Sequence, residues 1–219
     1  MPALVELNKV SAGYAGRAVL HDIDLSIRAG ERLAVMGRSG AGKTTLLNLL
    51  FERLSDRVAL IPQAAALVKP LSVFHNVYMG RLDRRASWYN LRNLVWPVRS
   101  DIAEIEGVLE IVGLADKLFA KAGALSGGQQ QRISVARALY NGRPIVIGDE
   151  PVSALDRVQA ADLLGKLCTR HGTAIFALHD ISLALAHADR IVVIESGRIV
   201  LDAPARALTA VDLVPYYGG

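Results

Sequence analysis

Leu33-Ala34-Val35-Met36-Gly37-Arg38-Ser39-Gly40-Ala41-Gly42-Lys43-Thr44 is the stretch whose reading decides the fold. A turn at Gly30-Glu31 precedes a short, wholly apolar run. The glycine-rich loop follows, and from Thr44 to Leu54 apolar residues recur at helical spacing (Leu46, Leu47, Leu49, Leu50, Leu54). A continuous apolar run marks a strand buried on both faces, as in a parallel sheet. Strand, loop and helix in that order, with GxxxxGK[ST] over 37–44, read as a phosphate-binding loop. The glycines let the backbone curl so that successive N–H groups point inward as an anion nest. The helix start adds its positive dipole end. Lys43 suits the β- and γ-phosphates, and the Thr44 hydroxyl suits Mg²⁺. The competing reading, a glycine turn with an exposed lysine, is disfavoured by the strand-loop-helix setting.

Outward from the loop, Ile145-Val146-Ile147-Gly148-Asp149-Glu150 is an apolar strand ending in two acids. Beside a phosphate loop, Asp149 can hold Mg²⁺ through water, and Glu150 can polarise an attacking water as general base. Leu125-Ser126-Gly127-Gly128-Gln129-Gln130-Gln131-Arg132 opens a helix with a bare serine and free backbone N–H groups, a second phosphate-binding surface. One nucleotide does not need two such surfaces from one chain. Ser126 is therefore read as serving the nucleotide of a second copy.

The chain has 219 residues, of which 52% are hydrophobic, enough for a full core without disulfide or metal staples. Twenty-five Lys and Arg against 21 Asp and Glu leave a net charge of +4. That mild, scattered excess argues for no nucleic-acid partner, although it suits a membrane or a phosphate-rich ligand. The lone Cys168 cannot pair within the chain, favours a reducing compartment and reads as a buried core thiol. Mean hydropathy is +0.29, yet no apolar run approaches the roughly 18 residues of a membrane span. Met1-Pro2-Ala3-Leu4-Val5-Glu6 lacks the basic flank of a signal peptide.

Strands are expected at 3–10, 17–27, 57–61, 144–149, 173–178, 190–195 and 198–202. Helices are expected at 127–141, 157–170 and 181–187. This alternation implies a mostly parallel sheet. Between about 64 and 122 the composition shifts to both tryptophans (Trp88, Trp96) and several arginines, with helix-like stretches near 72–80 and 101–113. That segment reads as a helical insertion.

The phosphate loop, LSGGQQQR at 125–132, Asp149-Glu150-Pro151, Ser153-Ala154-Leu155-Asp156 and then His179 stand in the order of ATPase subunits of ABC transporters, which the chain resembles along nearly its whole length. The resemblance implies one α/β phosphate-loop domain over 1–219. Its nucleotide-binding core would be 1–63 with 123–219, and its helical subdomain 64–122. It also implies a head-to-tail dimer with two ATP molecules and Mg²⁺ between the subunits. Gly37, Arg38, Ser39, Gly40, Ala41, Gly42, Lys43, Thr44 and Thr45 would bind ATP on one side, with Tyr14 stacked on adenine. Ser126, Gly127, Gly128 and Gln129 of the other copy would complete the site.

Glu150, His179 and Gln63 would be the catalytic set. Thr44, Gln63 and Asp149 would lie at the metal, and Asp156 at the dimer contact. Read singly, Tyr14 is more often a strand-edge aromatic, and His179 more simply a cap for the next helix. Gln63 follows Lys43 by only 20 residues, so the antiparallel β-subdomain common in such ATPases is expected to be shortened.

Residues 71–82, Ser87-Trp88, Leu91, 113–117 and the triple glutamine look like phosphonate importer ATPases. The resemblance therefore implies a peripheral subunit on the cytoplasmic face of the inner membrane, working with permease subunits and, through them, a solute-binding protein. Trp88 and Trp96 are either packing aromatics or contacts to a membrane subunit. The rivals are a non-transport ABC ATPase (phosphonate breakdown, DNA repair or translation) and an ATP sensor with little turnover.

Overall fold

The computed structural model describes residues 3–14 and 16–217. Met1 and Pro2, on which the reading of the N-terminus partly rests, lie outside the described residues. So do the outermost residues of the 1–219 domain expectation.

The core is a six-stranded sheet in the order β4-β5-β6-β3-β7-β8. It comprises β3 (Arg32–Met36), β4 (Val58–Ile61), β5 (Ile145–Asp149), β6 (Thr173–Ala177), β7 (Arg190–Glu195) and β8 (Arg198–Pro204). All pairings are parallel except β7 with β8, a hairpin closed by Ser196-Gly197. The expected mostly parallel core is what the chain forms. Strands β3, β5, β6 and β7 read as largely continuous apolar runs because both their faces are covered. Leu33, Val35, Ile145, Ile147 and Ile175 point into one core; Ala34, Met36, Val146 and Phe176 point into the other.

The first core is closed by α1 (Lys43–Leu54) and by an antiparallel pair, β1 (Ala3–Tyr14) with β2 (Arg17–Arg28). Among the described residues these two strands are the whole of the small antiparallel sheet. The chain leaves α1 through one 3-10 turn, Ser55–Arg57, directly into β4. No residues remain for further strands there, in keeping with the expected shortening.

The second core is covered by α2 (Val73–Tyr78), α3 (Ser87–Val95), α4 (Arg99–Ile111), α5 (Gly127–Asn141), α6 (Arg157–Arg170) and α7 (Ile181–His187). Phe74 and Ile105 from the helical insertion belong to the same buried cluster as Val146 and Phe176 of the sheet. Helix α3 falls between the two expected helical stretches, where the pattern marked none. Its inward residues are polar: Tyr89 Oη donates to Asp101 Oδ2 at 2.8 Å, and Asn93 Nδ2 to the same oxygen at 2.7 Å. Asn93 and Asp101 are buried, so they form a satisfied polar interior rather than an apolar stripe. A periodicity search for buried apolar residues misses such a helix.

After the sheet a short helix α8 (Ala210–Leu213) and a 3-10 turn, Val214–Tyr216, return the chain to the sheet rim. Cys168 is only half-buried against the second core, not fully buried as expected, and burial raises its thiol pKa.

Candidate active site

In the order β5-β6-β3 the carboxyl ends of three adjacent parallel strands share one rim, where open α/β sheets gather their ligands. Strand β3 runs into the 37–42 loop, β5 ends in Asp149, and β6 leads to His179. Three distant sequence motifs thereby become one site.

Backbone shape sets the loop. Gly37 has φ +136°, and a Cβ there would stand 2.2 Å from the Ile194 carbonyl oxygen of β7. Gly42 caps α1 with φ +112°, a left-handed position that glycine adopts without strain. Lys43 is buried, and its Nζ donates to the carbonyls of Gly37 at 2.8 Å and Arg38 at 3.1 Å. Burial lowers its pKa, opposed by Glu150 and Asp149. The ammonium is thus held inside the loop by weak neutral acceptors that an anionic phosphate can outbid.

A cleft of about 240 Å³ opens above the loop, lined by Ser39, Gly40, Gly42, Lys43, Thr44, Thr45, Gln63, Glu150 and, unforeseen in the sequence, Val19 of β2. Thr44 Oγ1 donates to Asp149 Oδ2 at 2.7 Å. With the Gln63 amide this is a hard, all-oxygen donor set of the kind Mg²⁺ takes. Among the described residues no group of three or more His, Cys, Asp or Glu side chains could hold a metal alone. Thr44, Asp149 and Gln63 would fill only part of a six-coordinate shell, which suits an ion that arrives with phosphate oxygens and water.

Glu150 is the focus. His179 Nε2 lies 2.6 Å from Glu150 Oε1, and Gln63 Nε2 donates to the same oxygen at 3.3 Å. Glu150 has φ +52°, a left-handed conformation that costs a non-glycine residue about 1–3 kcal/mol and clusters at functional sites. Its backbone is tied on both sides: its N–H donates to Ala177 O at 3.1 Å, and its carbonyl accepts from Gln131 Nε2 at 2.9 Å and Ser153 Oγ at 3.2 Å. The alternative reading of His179 as a helix cap is corrected. Asp180 caps α7, accepting from Ser182 N and Leu183 N, and His179 is left for Glu150.

The three glutamines at the start of α5 divide their work. Gln129 completes a capping box with Ser126, Gln130 Nε2 donates to Leu125 O, and Gln131 reaches the Glu150 carbonyl. Ser126 is therefore not bare, as expected from sequence; its Oγ accepts from Gln129 N at 3.3 Å because the serine sits at the helix N-cap. The first-turn amides of Gly127 and Gly128 have no intrahelical partner. None of Ser126–Gln129 lines the cleft at the phosphate loop; Gly128 instead abuts the Ala154 carbonyl. Asp156 caps α6, accepting from Val158 N and Gln159 N. Tyr14 is 55% exposed and tied to α1, its hydroxyl accepting from Asn48 Nδ2 at 2.9 Å.

Tyr217 was invisible in the sequence. Gly37 N donates to its hydroxyl at 3.0 Å, and the hydroxyl donates to Leu178 O at 3.1 Å. Its ring stands edge-on to His179 at 6.3 Å. The end of the chain thus bridges the first residue of the phosphate loop and the residue before His179. Tyr217→Phe keeps the ring but leaves a half-buried amide and carbonyl without this partner. It is expected to lower unfolding free energy by about 1–2 kcal/mol, read by urea denaturation. An unchanged midpoint would mean that water replaces the hydroxyl at no cost.

Residues 20–153 match the family model described as ABC transporter. The phosphonates import ATP-binding protein PhnC of Pseudomonas entomophila is 37% identical, the alignment covering 97% of this chain and 91% of that protein. That alignment runs over 242 positions, more than the chain contains, because stretches of the relative have no counterpart here. PhnC 1 of Pseudomonas syringae pv. syringae is 41% identical over 87% of this chain and 82% of its own length. Among solved structures, a nucleotide-free ATP-binding cassette from an ABC transporter superposes with TM-score 0.76 at 20% identity, covering 97% of each chain, a likeness of fold. A bacterial Atm1-family ABC exporter with ATP bound gives TM-score 0.77 at 26% identity, over all of this chain and 42% of that one.

Proposed function

Since the chain belongs to the ABC transporter family and is an ATPase of that family, we propose that it powers uptake of a phosphonate or related phosphorus oxyanion as the ATP-hydrolysing subunit of an importer. The names and similarity of the PhnC relatives support the cargo. The convergence of His179 and Gln63 on Glu150, beside the Thr44–Asp149 pair, carries the chemistry.

In this reading the inward amides of the 37–42 loop and Lys43 hold the β- and γ-phosphates, and Tyr14 stacks on adenine. Thr44 and Asp149, with Gln63, hold Mg²⁺. The ion, when bound, neutralises charge on the phosphate oxygens. Glu150 accepts a proton from the attacking water, which Gln63 helps to orient, and His179 approaches the γ-phosphate. Lys43, with Ser126 and Gly128 of a second copy, stabilises the charge that spreads over the transferred phosphoryl group. The first-turn amides of Gly127 and Gly128, which do not line the chain's own cleft, support that head-to-tail arrangement. The subunit would sit peripherally on the cytoplasmic face of the membrane against permease subunits, which a solute-binding protein would load. Among the described residues no helix is long and apolar enough to cross a bilayer.

The test is ATP turnover and phosphonate uptake in proteoliposomes holding candidate permease subunits. Turnover that rises with permease and solute is expected. Tight ATP binding without turnover in either setting would overturn the importer reading in favour of an ATP-switched platform or sensor.

A further inference from the structure

The only two tryptophans of the chain sit at the two ends of α3, Trp88 68% exposed and Trp96, its C-cap, 77% exposed. Leu91 and Val95, 64% and 69% exposed, continue the line. Positions 88, 91 and 95 share one helix face, and Tyr89 and Asn93 on the other face turn inward to Asp101. Helix α3 is therefore amphipathic with its apolar side outward. Exposed apolar surface this contiguous marks a contact with something.

Charge identifies the something. From Arg84 to Ser100 the chain carries Arg84, Arg85, Arg92 and Arg99 and no acid. The flanking acids are spoken for: Asp83 pairs with Arg143, and Asp101 is buried. Among the described residues Arg92 and Arg99 are exposed and make no ion pair. A helix with an exposed apolar ridge, a tryptophan at each end and unpaired cations alongside has the form of a helix lying in the headgroup layer of an anionic bilayer.

We propose that α3 docks this chain directly on anionic lipid, its apolar ridge in the interface and Arg92 and Arg99 on headgroup phosphates. The inference deepens the reading of a peripheral membrane subunit and rests on it. The contact would orient the whole ATPase, because α3 is held firmly. The Asp101 network fixes its inner face, and Leu94 O meets His75 Nε2 of α2 at 3.2 Å.

Both tryptophans lie on the proposed contact, so tryptophan emission, excited selectively over the six tyrosines, reports on it alone. The full chain, without permease, is titrated at low salt with vesicles of phosphatidylglycerol and phosphatidylcholine, and with phosphatidylcholine alone. The expected result is a blue shift and quenching by brominated lipid on the anionic vesicles only, reversed by high salt. Arg92→Gln with Arg99→Gln should weaken partitioning about twenty-five-fold, roughly fivefold for each cation removed. Leu91→Gln with Val95→Gln keeps both reporters and should weaken it as well. Both double variants should retain ATP turnover in solution, which shows them folded.

No shift on anionic vesicles, or an equal shift on phosphatidylcholine alone, overturns the proposal. So does a shift produced only by detergent-solubilised permease subunits, which would assign the face to protein. These vesicles hold no permease, so failure here leaves the importer reading standing. A permease that fails to stimulate turnover likewise leaves lipid docking standing.

Discussion

Glu150→Gln is expected to lower ATP turnover by about two to four orders of magnitude while leaving ATP binding within a few-fold. The substitution is nearly isosteric, so the left-handed turn at φ +52° and its ties to Ala177, Gln131 and Ser153 should survive. What is lost is the anionic oxygen on which His179 and Gln63 converge. An amide cannot take a proton from water at neutral pH, and its NH₂ presents donors where the carboxylate had only acceptors. The phosphate loop and Lys43 lie outside the substitution, which is why binding and turnover should separate. Single-turnover hydrolysis beside equilibrium binding of a fluorescent ATP analogue reads both quantities. A variant that keeps more than about a tenth of wild-type turnover would remove Glu150 from the role of general base.

The phosphate loop and the strand ending in Asp149-Glu150 were legible in the sequence because they are local: glycine spacing, an apolar run and terminal acids fit within a dozen residues. Helices 127–141, 157–170 and 181–187 and strand 190–195 were legible for the same reason, and the structure reproduces those limits. What escaped is non-local or inverted. Tyr217 acquires its role only when the chain's end folds back 180 residues to Gly37. Gln131 has no role in the sequence pattern and acquires one only when the fold sets Glu150 over it. Helix α3 buries polar groups and exposes apolar ones, the reverse of the pattern that hydrophobic periodicity detects. Ser126 was read for its chemistry alone. The capping box shows the same hydroxyl also ending a helix, a role visible in the Ser126…Gln129 spacing.

Gly37→Ala is expected to destabilise the chain by about 3 kcal/mol or more, whereas Gly40→Ala in the same loop should cost about 1 kcal/mol. Both glycines have positive φ, +136° and +79°, so both substitutions carry backbone strain. The difference lies in space. A Cβ at Gly40 meets nothing within 4 Å, but at Gly37 it falls 2.2 Å from Ile194 O and 3.4 Å from Ile194 N. Those are backbone atoms of β7, paired on both sides by β3 and β8, and they cannot swing aside as a side chain can. Relief would require β3 to part from β7, where Val35 pairs with Val192 and Met36 with Val193, or the loop to leave Tyr217. Either movement also turns the first carbonyl that holds Lys43, so ATP affinity should fall with stability at position 37. At position 40 it should fall mainly by loss of nest geometry. Urea unfolding and ATP titration of the two variants decide the matter. Equal destabilisation would mean that conformational strain alone, and not the close approach of β7, reserves position 37 for glycine.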